Sequence, residues 1–159
     1  MGLFGKRVAE SKPSEGGNYW LPGQYLVQID TVKAIESRKG DDLFIVSGEN
    51  LESSNEKCPV GAACSWVCNL KHEPAPGNVK SFIAAALAMD HDEVDEEVAD
   101  SVIDPEENPL QGLLVRLTVT IIQTKGKGED FSKHVWKAVD PELQEQASEL
   151  RAAAGLPPF

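Results

Sequence analysis

Alternating apolar and polar positions predict a β-hairpin near the start of the chain. Over residues 21–34, Tyr25 and Val27 fall on one face of an extended strand, and polar and apolar residues share the other face. The segment 37–42, Ser-Arg-Lys-Gly-Asp-Asp, is typical of a turn, because its glycine can take a positive φ. A short apolar strand, Leu-Phe-Ile-Val, follows over residues 43–46. The two strands and the turn are therefore predicted to pair as a hairpin.

A third strand and a helix are predicted next. Residues 62–70 alternate, so that one face of the strand carries Cys64, Trp66 and Cys68. Apolar residues spaced three and four apart then predict a helix within residues 76–89, with Asn78 as its N-cap. The apolar stripe of this helix comprises Val79, Phe82, Ile83, Ala86 and Leu87.

The second half of the chain has both helical and extended patterns. Residues 90–111 are an acidic, partly helical excursion in which a valine recurs every fourth position: Val94, Val98 and Val102. Residues 113–124 form the longest predicted strand, with alternate residues facing inward: Leu113, Val115, Leu117, Val119 and Ile121. A further strand covers residues 131–139. Residues 141–155 are predicted to form a helix that opens on Pro141 and ends at Gly155.

The order of these elements predicts the fold class. Three strands, one helix and two strands is the chain order of the OB-fold, a five-stranded Greek-key barrel. We expect a mostly β barrel over residues 19–139 with the acidic excursion 90–111 as an insertion, a flexible basic arm over 1–18, and a C-terminal helix and tail over 140–159. An OB-fold binds its ligand near strands two and three and the loops after strands one and four. Both of these loops carry a Lys-Gly pair here.

Charge is distributed unevenly along the chain. The formal net charge is -11 at pH 7. Residues 81–115 hold ten acidic side chains and no lysine or arginine, and residues 140–159 contribute a further -3. The rest of the chain carries a net charge of +2. The acidity of the whole chain therefore does not exclude a site for a polyanion.

Two segments carry a resemblance to a known family. They are LPGQYLVQIDTVKAIESRKGDDLFIV and LQGLLVRLTVTIIQTKGKGEDFSKHVWKAV, and an apolar helix followed by an acidic insertion lies between them. Over residues 18–140 the chain resembles the phage-encoded single-stranded DNA-binding proteins of replication and recombination modules. The resemblance implies an OB-fold that binds single-stranded DNA in the host cytoplasm without sequence preference, reaction or cofactor. The Gly-Asp-Asp that follows Lys39 is more acidic than the turn of that family, which leaves the role of the first loop open.

Binding of a single strand without sequence preference requires cations along a groove and flat aromatic faces on which bases stack. The candidate cations are Lys33, Arg38, Lys39, Arg116, Lys125, Lys127, Lys133 and Lys137. The candidate stacking residues are Trp20, Trp66, Phe131 and Trp136. Alternation places Phe131 and Lys133 on one face of their strand and Trp136 on the other. For each tryptophan, a place in the barrel core is as well supported as a stacking role.

The last three residues indicate a second kind of contact. Pro157, Pro158 and Phe159 resemble the Pro-Phe end by which many bacterial single-stranded DNA-binding proteins recruit partner enzymes, although Ala-Ala-Ala-Gly-Leu stands where those tails have aspartates. The resemblance implies binding of replication or recombination proteins, and an apolar frayed end is the alternative. We also expect self-association, because a barrel with a net charge of +2 needs neighbours to bind DNA tightly.

Other chemistry is sparse. Cys58, Cys64, Cys68 and His72 lie within fifteen positions. On a strand, however, Cys64 and Cys68 are ~13 Å apart, too far to share a zinc ion through ~2.3 Å bonds. We expect buried free thiols, no metal, no catalytic site and no membrane-spanning segment. The alternative function is that of an acidic β-barrel that binds protein, as a virion structural or decoration component or as an inhibitor that imitates DNA.

Overall fold

The computed structural model describes residues 18–72, 75–104, 106–123 and 130–159. The strands are β1 (Asn18–Tyr19), β2 (Gly23–Glu36), β3 (Asp42–Ser53), β4 (Ala63–Asn69), β5 (Leu114–Gln123) and β6 (Asp130–Lys137). The helices are α1 (Ala75–Leu87), α2 (Glu96–Val102), α3 (Pro141–Glu145) and α4 (Ala147–Ala153), with a single 3₁₀ turn at His91–Glu93. The basic arm predicted over residues 1–18 lies outside the described residues, except for Asn18.

The strands form one sheet in the order β1-β4-β3-β2-β5-β6. Strands β2 to β6 pair antiparallel, whereas β1 pairs parallel to β4 over two residues. The predicted mostly β class with five antiparallel strands is therefore confirmed. The two-residue β1 was not predicted, because so short a segment has no period to detect.

The sheet is strongly curved. Strands β4 and β6 are separated by three other strands, so their axes would lie about 19 Å apart in a flat sheet at ~4.8 Å per strand. The ring centroids of Trp66 on β4 and Trp136 on β6 are only 5.5 Å apart. Cys64, Trp66 and Cys68 share the concave inner face and are buried there, as their alternation predicts.

Helix α1 closes the inner face of the sheet. Its Phe82 is fully buried, with ring centroids 5.9 Å from Phe44 and 4.8 Å from Trp136. The prediction that Asn78 caps this helix is wrong, because the helix already begins at Ala75. Pro76 therefore lies in the first turn, where a missing N–H breaks no helical hydrogen bond.

Strand β3 is longer than the four apolar residues predicted for it. The prediction stopped too early because the second half of the strand carries polar residues and a glycine. The glycine is required at position 48: a Cβ there would lie 2.6 Å from Cγ1 of Val27 and 2.8 Å from the carbonyl oxygen of Gln28. Asn50 is fully buried, and its side chain accepts a hydrogen bond from Nε1 of Trp20 at 2.7 Å and donates to the Cys58 carbonyl at 3.1 Å. Buried polar groups with partners of this kind are compatible with a core strand.

The outer face of the sheet is partly covered by the C-terminal helices. Leu143 and Leu150 of these helices pack with residues of β2, β3 and β5 and with Val139 in a second apolar cluster: Leu26, Leu51, Leu114 and Val139. The single helix predicted over 141–155 is in fact two short helices that meet at Gln146, and Pro141 starts the first of them as predicted. The helices explain why Leu26 is buried although it points away from the inner face.

Candidate nucleic-acid interface

The exposed outer face of the β5–β6 hairpin carries three of the predicted cations. Arg116 pairs with Lys137, and Thr120 pairs with Lys133. Directly opposed residues in an antiparallel pair share a face, so these side chains lie on one side of the hairpin with Thr118 and Val135 between them. The three cations are exposed. We call this surface the ribbon face: Arg116, Thr118, Thr120, Lys133, Val135 and Lys137.

A depression of about 400 Å³ adjoins one end of the ribbon face. Arg116, Thr118 and Lys137 line it on one side, and Ser53 and Ser54 line it on the other. Its remaining lining residues are Gln24, Tyr25, Leu26, Glu52 and Leu117. Hydroxyl and cationic groups around one depression are suited to phosphate oxygens.

Arg116 has one carboxylate nearby. Its Nη1 lies 3.9 Å from Oε2 of Glu52, and the two side chains are 53% and 61% exposed. Exposed pairs of this kind contribute about 0–1 kcal/mol, because water screens both charges. A phosphate can therefore replace Glu52 at little cost.

The far end of the ribbon face leads to the loop predicted as the main cationic site. Lys125 and Lys127 lie outside the described residues, which end at Gln123 and resume at Asp130 on either side of this loop. The backbone of Phe131 pairs with Ile122, and the structure does not describe its side chain. The roles of Lys125, Lys127 and Phe131 stay predictions.

The structure places both candidate tryptophans of the strands in the core. Trp66 is 8% exposed and Trp136 is 6% exposed. Each packs against Phe82 of α1, with ring centroids 6.0 Å and 4.8 Å away respectively. Of the two interpretations that the sequence allowed, the structure shows the core role. Neither indole face is open to a base.

His134 belongs to the same inner layer. Its ring stacks on Trp66 at a centroid distance of 5.8 Å and an interplanar angle of 26°. Burial lowers the pKa of His134 to about 4. The imidazole is therefore neutral at pH 7 and adds no positive charge to β6.

The predicted cations of the first loop lie at a different place. Lys33, Arg38 and Lys39 are exposed at or near the turn between β2 and β3, where Gly40 has a φ of +85°. The antiparallel register pairs Gly23 with Val119, so the end of β5 lies at the beginning of β2, whereas this turn follows the end of β2. The described end of β5 and the turn between β2 and β3 therefore lie at opposite ends of β2.

The outer face of β2, β3 and β4 carries rows of apolar and hydroxyl side chains. Lys33, Ile45 and Val67 form one row across the three strands. The next row contains Thr31, Ser47 and Ser65, in which the two serine Oγ atoms are 3.0 Å apart. Within the described part of the chain, neither row contains an aromatic side chain.

The C-terminal tip is bound to the body of the protein. Arg151 is 3% exposed and donates from Nε to the Pro157 carbonyl at 2.9 Å and from Nη1 to Oε1 of Gln28 at 2.9 Å. Its guanidinium carbon lies 5.3 Å from the ring centroid of Phe159, whose side chain is 49% exposed. The frayed end proposed as an alternative is therefore not what the structure shows. Partner binding by Pro157, Pro158 and Phe159 stays a prediction.

The acidic excursion lies on the helix side of the sheet. Val94 and Val102, two of the three valines that recur every fourth position, are buried against the same core as α1. Nine of the ten carboxylates are exposed, and Asp104 is half-buried. Among the described residues, no ion pair joins this excursion to Arg116, Lys133 or Lys137.

The described residues were also searched for metal sites and for membrane-spanning helices. In the ranges that the structure describes, no three His, Cys, Asp or Glu side chains are grouped as a metal site. Within the same ranges, no helix has the length and apolar character needed to span a bilayer. All three cysteines are buried free thiols, as predicted.

Sequence reasoning missed the threonines of the ribbon face. Thr118 and Thr120 alternate with the inward leucine and valines of β5. The two-residue period that predicts the inward residues therefore also predicts that both threonines lie on the outer face. The depression beside Arg116 had no sequence signal, because its serines come from β3 and the loop after it.

The chain was compared with protein-family models and with curated proteins, and neither comparison gave a match.

Proposed function

We propose that the protein binds single-stranded DNA without sequence preference through the ribbon face and the loop that follows it. The observation that carries the proposal is the β5–β6 register, which aligns Arg116, Lys133 and Lys137 on one exposed surface. This surface continues toward the segment that holds Lys125 and Lys127. Cations in a line along a strand are suited to the phosphates of an extended polynucleotide.

The arrangement of strands supports an OB-type barrel. Three antiparallel strands, a helix and two further strands follow one another, and the side chains of the two outermost antiparallel strands meet on the inner face. OB-folds of this topology commonly bind oligonucleotides. The resemblance to phage proteins extends the proposal to DNA replication or recombination in the host cytoplasm. The C-terminal tip is the proposed contact for other replication or recombination proteins.

The distribution of charge supports the same surface. The exposed carboxylates of the acidic excursion lie beyond α1, on the other side of the sheet from the ribbon face. The sheet therefore separates the negative surface from the proposed DNA path. Ionic attraction at the ribbon face is reduced less than the net charge of -11 would indicate.

The structure changes the part assigned to base stacking. Because Trp66 and Trp136 are buried, phosphate contacts carry most of the proposed affinity, with Phe131 as the remaining candidate for stacking. Affinity that rests on phosphates falls as salt rises, with a slope of about -0.7 per contact for single strands. Five cations would then give a slope of roughly -3.5.

A salt titration with a matched variant tests the proposal. Anisotropy of a fluorescein-labelled oligo(dT) is measured between 20 and about 300 mM NaCl for the wild type and for R116A/K137A. Loss of two contacts should weaken binding at low salt at least fivefold and flatten the slope by about 1.4. The control K71A/K80A removes the same charge near α1 and should bind like the wild type. Equal effects of the two double variants would refute a site on the ribbon face.

A protein-binding acidic barrel is the second candidate. Nine exposed carboxylates on one side of the molecule favour it, as does the absence of aromatic side chains from the described outer rows of β2, β3 and β4. No affinity for oligo(dT) at the lowest salt would select this second candidate over the first.

A further inference from the structure

An apolar groove lies between α1 and α2 on the helix side of the sheet. Its volume is about 340 Å³. Leu70, Val79, Ile83 and Ala99 supply much of its lining, and Ile83 is almost fully buried beneath it. Few polar groups face the groove, so it offers an apolar side chain a place away from water.

The rim of this groove is strongly negative. Asp95 and Glu96 line the groove and also line an adjoining depression of about 490 Å³ that is otherwise formed by Glu97 and Asp100. All four carboxylates are exposed. Asp95 accepts a hydrogen bond from the backbone N–H of Val98, whereas the other three have no hydrogen-bond or ion-pair partner among the described residues.

The electrostatic surroundings limit what can occupy the groove. The segment 81–115 contains ten acidic side chains and no lysine or arginine, and Lys80 is the one cation among the lining residues that the structure describes. A polynucleotide or another anion would be repelled from this rim. A cationic chain would be attracted to it, and an apolar group on that chain would be buried in the groove.

We propose that the groove between α1 and α2 binds a basic, amphipathic segment of a partner protein. One bulky apolar side chain of that segment enters between Val79 and Ala99, and lysine or arginine residues on either side of it face Glu96, Glu97 and Asp100. Apolar burial supplies the affinity, and the carboxylates supply orientation and a faster association rate. The surface is separate from the ribbon face, so the two sites can be occupied together.

Two peptides of equal charge test this proposal. Fluorescein-labelled Arg-Lys-Leu-Phe-Lys-Arg and Arg-Lys-Gly-Ser-Lys-Arg are titrated with the full-length protein at low salt. The first peptide should bind at least tenfold more tightly, because only it can fill the groove. Equal binding of both peptides, or binding of neither, would overturn the proposal. Equal binding would show that the carboxylates act only as a general negative surface.

Variants locate the binding on the molecule. Ala99→Trp fills the groove and should weaken the first peptide at least tenfold. E96Q/E97Q changes only exposed side chains and should weaken it at least threefold, so it keeps the test decisive if Ala99→Trp lowers stability. The matched control E142Q/E145Q removes two exposed carboxylates of α3, and R116A/K137A alters the ribbon face. Both should bind the first peptide like the wild type, and a loss in either control equal to that in E96Q/E97Q would refute the location.

Discussion

The buried Arg151 should be far more important for stability than the exposed Arg116, although both are arginines that lie within 4 Å of a glutamate. Arg151 is paired with Glu49 at 3.4 Å, and the two side chains are 3% and 27% exposed. Its guanidinium also donates to Gln28 and to the Pro157 carbonyl. Replacement by alanine leaves Oε1 of Gln28 and the Pro157 carbonyl without these donors.

The size of the effect follows from these partners. Removing one member of a buried ion pair costs roughly 3–5 kcal/mol, because the other charge stays in a poorly hydrated place. Glu49 keeps about a quarter of its surface in water, which places the expected loss for Arg151→Ala at the lower end, about 3 kcal/mol. The exposed pair of Arg116 with Glu52 is worth less than about 1 kcal/mol. The difference between the two variants should therefore be about 2–3 kcal/mol.

Urea unfolding followed by far-UV circular dichroism measures both free energies. For a chain of this length, ~3 kcal/mol corresponds to a Tm lower by about 6–12 °C. Arg151→Lys should recover part of the loss, because a lysine keeps the charge but cannot make the same two hydrogen bonds. If Arg151→Ala and Arg116→Ala lowered the free energy of unfolding equally, the burial of Arg151 and its hydrogen bond to the C-terminal tip would be wrong.

Three further outcomes follow from the inner layer. Saturating oligo(dT) should quench tryptophan fluorescence by less than about a tenth even where anisotropy shows binding, because all three indoles are buried; strong quenching would mean that an indole reaches the bases. Burial lowers the pKa of His134 to about 4, from 6.5 in the unfolded chain. Above pH 6.5 the imidazole is neutral in both states and does not reduce the free energy of unfolding. As the pH falls from 6.5 toward 4, only the unfolded chain binds a proton at His134, so the free energy of unfolding falls. A urea series should show that His134→Phe reduces this acid loss by about 3 kcal/mol, and an unchanged pH profile would contradict the burial of a neutral His134. All three thiols are buried, and burial raises the pKa of Cys64 to about 12. Ellman's reagent should therefore react with all three in 6 M guanidinium, where they are accessible, but with none rapidly in the native protein.

Alternation along single strands was the strongest source of correct prediction. It placed Cys64, Trp66 and Cys68 on one inner face, because a strand that packs on one side must repeat every second residue. It failed at Ile121, which is 46% exposed. The last residue of β5 that pairs with β2 is Val119, so the end of β5 extends beyond the body of the sheet.

Features that depend on distant segments were not visible in the sequence. Alternation puts Gln28 on the face of its strand opposite Tyr25 and Val27, where exposure is the usual outcome for a polar residue. It is buried because Arg151, far along the chain, reaches its side chain. The register that sets the end of β5 against the beginning of β2 was hidden for the same reason, since it depends on which residues of β2 and β5 are opposed. To predict that Arg116 and Lys133 lie on one face, both the alternation along each strand and the register between β5 and β6 must be known.

The hydrogen bond between Arg151 and Gln28 also has a consequence for synthesis of the chain. It joins residues 123 positions apart, so the ribosome must have made the chain as far as Arg151 before this contact can form. Until then, Leu26 and Leu114 have no helix to cover them, and the outer face of the nascent sheet exposes these apolar side chains to solvent. Chaperones would meet the protein during this interval, and packing of the helices that carry Leu143 and Leu150 would end it.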